Sequence, residues 1–307
     1  MKTNSTITAR AGGALLCALL ASCVFGQKRP TVDVLRAEHS SFIQGPVGLL
    51  HVSDGGDMAS TLAPVIFLHG LGGDVEIWRA QLDHLRETRR AIAFDARGHG
   101  QSARALPDSY TIEGLAEDVD AVARALQLTR FILVGHSISG CALQAYAAKH
   151  SDMLAGLVFV DAIGDFSRAG TPEEILEFIK SDIALGNDLA KESALFEEML
   201  GPPARAQTKE RVLKSFANLD PKAFAPLRAS MARFIPPQDL AKSPLSLFSV
   251  EAADNLFVVR FSSLVPTAPR AGIPSVSHWL MLDDADAFNR ALDSFVAPLP
   301  PSSPTAK

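Results

Sequence analysis

The stretch richest in chemistry is Gly135-His136-Ser137-Ile138-Ser139-Gly140. It follows an apolar run, Phe131-Ile132-Leu133-Val134, that reads as a buried strand, and it precedes an Ala-rich stretch of helical character. A serine held on a sharp strand-to-helix turn presents its hydroxyl outward, and small residues on either side leave the turn room. A serine hydroxyl is a poor nucleophile until a base removes its proton. Imidazole titrates in the right range for that task, and an acid must then hold the imidazole tautomer and stabilise the imidazolium. The chemistry such a set performs is attack on an acyl carbonyl.

Three further stretches stand at the ends of predicted elements. His69-Gly70-Leu71-Gly72-Gly73 comes directly after the strand-like Pro64–Leu68, and its glycines let backbone approach a bound molecule closely. A dinucleotide fingerprint is absent there, because no Gly-x-Gly-x-x-Gly can be written. Asp95-Ala96-Arg97-Gly98-His99-Gly100-Gln101-Ser102 follows the strand-like Ala91–Phe94, and Ser275-Val276-Ser277-His278-Trp279 precedes the last predicted helix. No clustered His, Cys and Asp spacing of a zinc or iron site is found, and no phosphate-binding glycine loop. No cofactor is therefore expected.

These stretches, in this order, resemble the α/β-hydrolase family, whose nucleophile elbow reads Gly-x-Ser-x-Gly between strand and helix. Ser139 stands here in place of the second glycine, with Gly140 next to it. The resemblance spans roughly Val47 to Phe295. It implies Ser137 as nucleophile and His278 as base, with the backbone N–H groups of Leu71 and Ile138 as oxyanion donors. The Asp95–Ser102 stretch matches the family's Asp-x-Arg-Gly-His-Gly-x-Ser loop. Asp95 and Arg97 are expected to be structural, as a local ion pair or a hydrogen-bond brace, and His99 is set aside as base in favour of the C-terminal His278. His136 is expected to pack against the sheet. For the acid, the usual family position falls in Val250-Glu251-Ala252-Ala253-Asp254-Asn255, where Asp254 matches best and Glu251 lies nearer the strand end. Asp161, after the preceding strand, is the alternative acid. Trp279, Phe166 and apolar residues of the insert are expected to line an acyl or alcohol pocket.

The elements that must position these groups alternate. Strand-like runs at 64–68, 91–94, 131–134 and 157–160 are separated by helical spacing over 75–86 and 111–128, which argues for a mostly parallel sheet with helices on both faces. Phe42–Val52 reads as a hairpin ending at Asp54-Gly55-Gly56. Between about 163 and 243 the strand signal vanishes. Thr171-Pro172-Glu173-Glu174 is a strong helix start, and helical segments follow near 190–200, 208–219 and 221–234. This is an expected helical cap at 163–243, inserted into an α/β core at 30–162 and 244–297. A strand over 245–250 and a final helix over 285–295 complete the core, and the Pro- and Ser-rich 298–307 is expected to be a disordered tail.

Composition bounds the rest. The chain has 307 residues, 47% of them hydrophobic and 21% charged, which is enough for a real core without staples. The formal net charge of −5 argues against a nucleic-acid partner. Lys2 and Arg10 precede the uncharged, apolar 11–26, an export signal too short for the roughly 20 residues that span a bilayer. Leu20-Ala21-Ser22-Cys23 resembles a lipoprotein signal that would lipidate Cys23 and anchor the protein to a membrane. Val24-Phe25-Gly26 offers ordinary cleavage before Gln27, and both readings stay open. The expected location is periplasmic, outer-membrane or secreted. Of three cysteines only Cys141 then remains in the folded chain, as a small buried hydrophobe.

The resemblance thus implies a serine hydrolase that cleaves a small-molecule ester through an acyl-enzyme. The same residues could serve an acyltransferase or perhydrolase, or a binding protein that kept the pocket. Epoxide hydrolases and haloalkane dehalogenases of this fold use an Asp nucleophile, and the elbow carries Ser. Substrate identity and oligomeric state are not written in these patterns.

Overall fold

A computed structural model describes residues 39–165, 170–237, 239–254 and 260–299. The expected export signal with Cys23, and Phe166, lie outside the described residues. Eight strands form one sheet in the order β1-β2-β4-β3-β5-β6-β7-β8. They are β1 Ser40–Gly45, β2 Gly48–Gly56, β3 Val65–Leu68, β4 Arg90–Phe94, β5 Phe131–His136, β6 Leu154–Val160, β7 Leu247–Ala252 and β8 Arg270–Ile273. The β1–β2 and β2–β4 pairs are antiparallel and the other neighbours are parallel. The fold is that of a mostly parallel α/β sheet, as the alternation of strand and helix signals requires.

The central strands are apolar without alternation because both faces are covered. Val65 and Phe67 of β3 enter one core and Ile66 and Leu68 the other, and all four are fully buried. One core is closed by helices α2 (Ile112–Ala125) and α3 (Ser139–His150). The other is closed by α1 (Arg79–Leu85), α9 (Leu280–Asp283) and α10 (Ala285–Val296). The Thr111 hydroxyl caps α2 by accepting from Gly114 N–H at 2.9 Å. The helical spacing over 75–86 resolves into a tight turn at Val75–Trp78 followed by α1.

Between β6 and β7 the described residues form helices but no strand of the sheet: α4 Pro172–Gly186, α5 Leu189–Leu200, α6 Ala206–Ala217 and α7 Phe224–Ala232. Thr171 and Glu174 make a reciprocal capping box at the start of α4. The short helix α8 (Phe261–Leu264) follows β7.

One strand was not anticipated, and one expectation needs correction. Strand β8 gave no signal, since Arg270-Ala271-Gly272-Ile273 is only four residues long and lacks an apolar run. It forms by pairing along β7, from Ser249–Arg270 to Ala252–Ile273. The expected tail does not begin at Pro298 as disorder: Leu299 packs on the core, near the position a side chain on Gly156 would take. Residues 300–307 lie outside the described residues.

Candidate active site

The geometry around Ser137 follows from its two flanking elements. β5 runs straight into α3, and the single residue pair between them must reverse the chain. Ser137 takes φ +55°, a left-handed conformation that non-glycine residues adopt at a cost. Small neighbours make the turn possible. A Cβ on Gly135 would lie 2.5 Å from Leu143 Cδ1, and one on Gly140 would lie 2.5 Å from the Ile163 carbonyl oxygen. The turn is fastened to the neighbouring strand end. Ser137 N–H donates to Val160 O at 3.1 Å, and Ile163 N–H donates to Ser137 O at 3.0 Å. The residues after β6 are therefore locked beside the serine.

Ser139, the departure from the family's glycine, is fully buried and has a use. Its hydroxyl donates to the His69 carbonyl at 2.5 Å, joining the elbow to the loop after β3. In that loop His69 Nε2 accepts from Ala96 N–H at 3.0 Å, so the ring proton sits on Nδ1, which donates to Gly70 O at 2.8 Å. Gly70 cannot carry a side chain, since a Cβ would meet His136 Nδ1 at 2.8 Å and Ser137 Cβ at 3.0 Å. The loop thereby brings Leu71 to the same cavity as Ser137 and Ile138. No backbone carbonyl among the described residues takes the N–H of Leu71 or of Ile138.

His278 is buried beside the serine loop. Its Nδ1 and Asp161 Oδ2 are 2.7 Å apart. Its backbone is held from the cap, His278 N–H donating to Met199 O at 3.4 Å. His136 supports the other side. The carbonyl of His278 can only accept, so His136 Nε2 carries a proton and donates to it at 3.0 Å. Burial, followed by the His278 charge, pushes the His136 pKa well below the ordinary histidine value, which keeps this ring neutral.

The carboxylate on His278 is the principal correction to the sequence reading. Asp254 is exposed and accepts from Ser275 N–H at 2.8 Å, at the far edge of β7. Glu251 accepts from Ser249 Oγ at 2.8 Å and pairs with Arg260 at 3.3 Å. Asp161, the alternative acid, occupies the position on His278 Nδ1. The reason is the sheet order. β6 lies next to β5, and Asp161 is the first residue past Val160, which pairs with His136. Its backbone is also left-handed, with φ +39°. Its second oxygen accepts from Ala252 N–H at 3.3 Å and lies 3.6 Å from the Arg260 guanidinium.

Asp95 and Arg97 do brace their loop, but not with each other. Asp95 accepts from Val75 N–H at 2.7 Å, Gln101 N–H at 2.8 Å and His51 Nδ1 at 2.9 Å. Arg97 forks onto Asp118 at 2.8 and 3.0 Å. His99 is buried and donates from Nδ1 to Arg97 O at 2.9 Å, and it does not line the cavity. Cys141 is fully buried, and burial pushes its thiol up and out of the reactive range.

The cavity above Ser137 has a volume of about 560 Å³. Its floor is the strand ends, with Ser137, Asp161 and His278. Its roof is the cap, with Ile175, Phe178 and Leu185 from α4 and Phe196 and Met199 from α5. Trp279 lines it as the sequence suggests. Among the described residues no group of three or more His, Cys, Asp or Glu is placed to hold a metal ion. The cavity thus gathers Ser137, His278, Asp161 and the residues Leu71 and Ile138, the residue types that acyl chemistry on a serine requires.

Comparison with known proteins agrees with this geometry. The model of the alpha/beta hydrolase fold family matches residues 63–267, and the chain belongs to that family. A protein of Caulobacter vibrioides named "Putative carbamate hydrolase RutD" is 27% identical over 82% of this chain and 97% of its own length. Matches to proteins of the same name from Caulobacter sp. and Caulobacter segnis are 40% identical but span only 42% and 37% of those proteins. Among solved structures, a hydrolase from Pseudomonas aeruginosa superposes with a TM-score of 0.71 at 24% identity, over 84% of this chain and 98% of that one. An esterase from Thermogutta terrifontis superposes with a TM-score of 0.67 at 22% identity, over the same shares. Likenesses at this identity show the fold. The protein thus has the α/β-hydrolase fold of that family.

Proposed function

We propose that this protein cleaves carboxylic esters through an acyl-enzyme on Ser137. The observation that carries the reading is the 2.7 Å contact between Asp161 Oδ2 and His278 Nδ1, made on the floor of the cavity that Ser137 also lines. With Nδ1–H fixed by Asp161, Nε2 of His278 acts as the base. It takes the Ser137 proton as Oγ attacks the ester carbonyl. The N–H groups of Leu71 and Ile138 hold the oxyanion. The imidazolium returns its proton to the leaving alcohol, and water, activated by the same base, releases the acid.

Carbamates, named for one set of relatives, and lactones, named for a structural neighbour, pass through the same kind of tetrahedral intermediate. The apolar roof of Ile175, Phe178, Leu185 and Phe196 favours a substrate with a sizeable apolar acyl or alcohol part. The test is a fluorophosphonate label followed by a chain-length series of aryl esters. Ser137 should label, and Ser137→Ala should lose both the label and turnover. Turnover retained by Ser137→Ala would overturn the proposal.

A further inference from the structure

The end of β7 holds a cation against the acid of the site. Arg260 immediately precedes α8, and its backbone is fixed beside Asp161. Ile163 pairs with it as an isolated antiparallel bridge, and Phe261 N–H donates to Ala162 O at 3.0 Å. The Phe261 ring stacks on that of Phe159 in β6, with 3.4 Å between centroids and 3° between planes. From this fixed backbone the Arg260 guanidinium reaches three groups. Nη2 donates to Ala252 O at 2.8 Å and lies 3.6 Å from Asp161 Oδ1. Nη1 donates to Glu251 Oε2 at 3.3 Å, and the other Glu251 oxygen accepts from Ser249 Oγ at 2.8 Å.

This is more than a tie between α8 and the sheet, because the backbone of Ala252 serves both partners. Its N–H donates to Asp161 Oδ1 at 3.3 Å, and its carbonyl accepts from Arg260. A carboxylate with Oδ1 held by an N–H and faced by a guanidinium resists turning, so Oδ2 keeps its place on His278 Nδ1. A lone guanidinium so near the imidazole would also oppose the imidazolium that forms during acyl transfer. Glu251 balances that charge from the opposite side. The end of β7, where the family's usual acid lies, thus supplies the counter-ion of a cation that steadies an acid on β6. Arg260 also lines the cavity, and its side chain is 13% exposed. The space left by truncating it therefore opens to the cavity.

We propose that Arg260 is a positioning residue for the acyl chemistry: it holds the carboxylate of Asp161 in place behind His278, and Glu251 cancels its charge so that the imidazolium can form. Arg260 touches neither the substrate nor Ser137 in this role and acts only through Asp161. The inference rests on Ser137, His278 and Asp161 working as proposed above, so the experiment scores that reading separately.

The readouts are steady-state kinetics on an aryl ester, the rate of fluorophosphonate labelling of Ser137, and urea unfolding. Arg260→Met should lower kcat by about ten- to hundredfold with KM within about twofold, the size of loss a misplaced group causes. Labelling of Ser137 should slow by a similar factor, because it draws on the same base. Arg260→Met also leaves Glu251 as a buried charge without its guanidinium, so its urea midpoint should fall. Adding Glu251→Gln removes that charge. The midpoint of the double variant should recover while kcat stays low, a split that a purely structural role would not give. In Arg260→Ala, guanidinium ion at non-denaturing concentration should raise kcat by at least about threefold, and neutral urea at the same concentration should not. Wild-type kcat in Arg260→Met, recovery of kcat together with the midpoint in the double variant, or no response to guanidinium overturns the role of Arg260 alone. A wild-type protein that takes no label at Ser137 would overturn the proposed function, and this inference with it.

Discussion

Nδ1 of His278 meets Oδ2 of Asp161 at 2.7 Å, while the carboxylate of Asp254 turns to the backbone N–H of Ser275. The two acids therefore predict different kinetics. Asp161→Asn keeps the shape but replaces an acceptor with a group that can present N–H₂ to Nδ1, favouring the wrong tautomer. It should lower kcat on an aryl ester by about 10³- to 10⁴-fold with little change in KM. Asp254→Asn should stay within about threefold of wild type, as expected for a surface change that keeps one acceptor. Steady-state kinetics on both purified variants decides, and equal losses would return the acid to the loop after β7.

The bond from Ser139 Oγ to the His69 carbonyl makes the fifth residue of the elbow a strut rather than a mere small residue. Ser139→Ala leaves that buried carbonyl without its hydroxyl, at a cost of about 1–3 kcal/mol in stability. It also frees the loop that presents Leu71, so kcat/KM should fall by about tenfold. Ser139→Val should be worse, because its added methyl groups crowd Gly135, whose own Cβ position lies 3.2 Å from Ser139 Cβ. Urea unfolding and ester kinetics read the two effects separately. An unchanged kcat/KM in Ser139→Ala would show that the loop holds its shape without the strut.

The sheet and its order of elements were legible because buried parallel strands write themselves as short apolar runs, and Phe131–Val134 and Leu157–Val160 are such runs. Ser137 and His278 were legible for a different reason: their neighbours must be small or must precede a helix, which leaves a local mark. The acid left no such mark. An aspartate past β6 and one past β7 look alike in a sequence, and only the pairing of β5 with β6 decides which reaches His278. The approach of Arg260 to Asp161 was invisible for the same reason, since it needs the end of β7 beside the end of β6.

Histidine burial should make the fold acid-sensitive above the carboxylate range. Burial, and next the nearby His69, lower the pKa of His99 to about 3, and its Nε2 is buried without a partner. The folded value lies below the unfolded one of about 6.5, so the contribution is fully present above pH 6.5. As pH falls below that value the unfolded chain takes up a proton that the folded chain refuses. Stability should then drop by up to about 1.4 kcal/mol per pH unit for this one site until pH approaches 3. His136 acts in the same direction. His99→Gln should flatten the dependence by about one proton between roughly pH 6 and pH 4. Urea midpoints across that window check it, and an unchanged slope would show that His99 is protonated in the folded protein.

Phe196 couples the cap to the floor of the site. It is buried, its ring lies 4.4 Å from that of Phe216 and 5.5 Å from that of Trp279, and it approaches within 3.2 Å of where a Cβ on Gly72 would stand. Gly72 belongs to the loop that presents Leu71 and has φ +71°, so only a residue without a side chain fits both the backbone and the ring. Phe196→Ala removes the ring and leaves a void between cap and loop, at a cost of about 3–5 kcal/mol. Phe196→Leu keeps most of the volume and should cost less than about 1.5 kcal/mol. Because the ring also lines the cavity, the surviving Phe196→Ala activity should shift toward bulkier acyl groups, which Phe196→Leu should not do. Unfolding curves with a matched set of acetyl, hexanoyl and benzoyl aryl esters test both parts. A stability loss without any shift in acyl preference would place Phe196 in the packing of the cap alone.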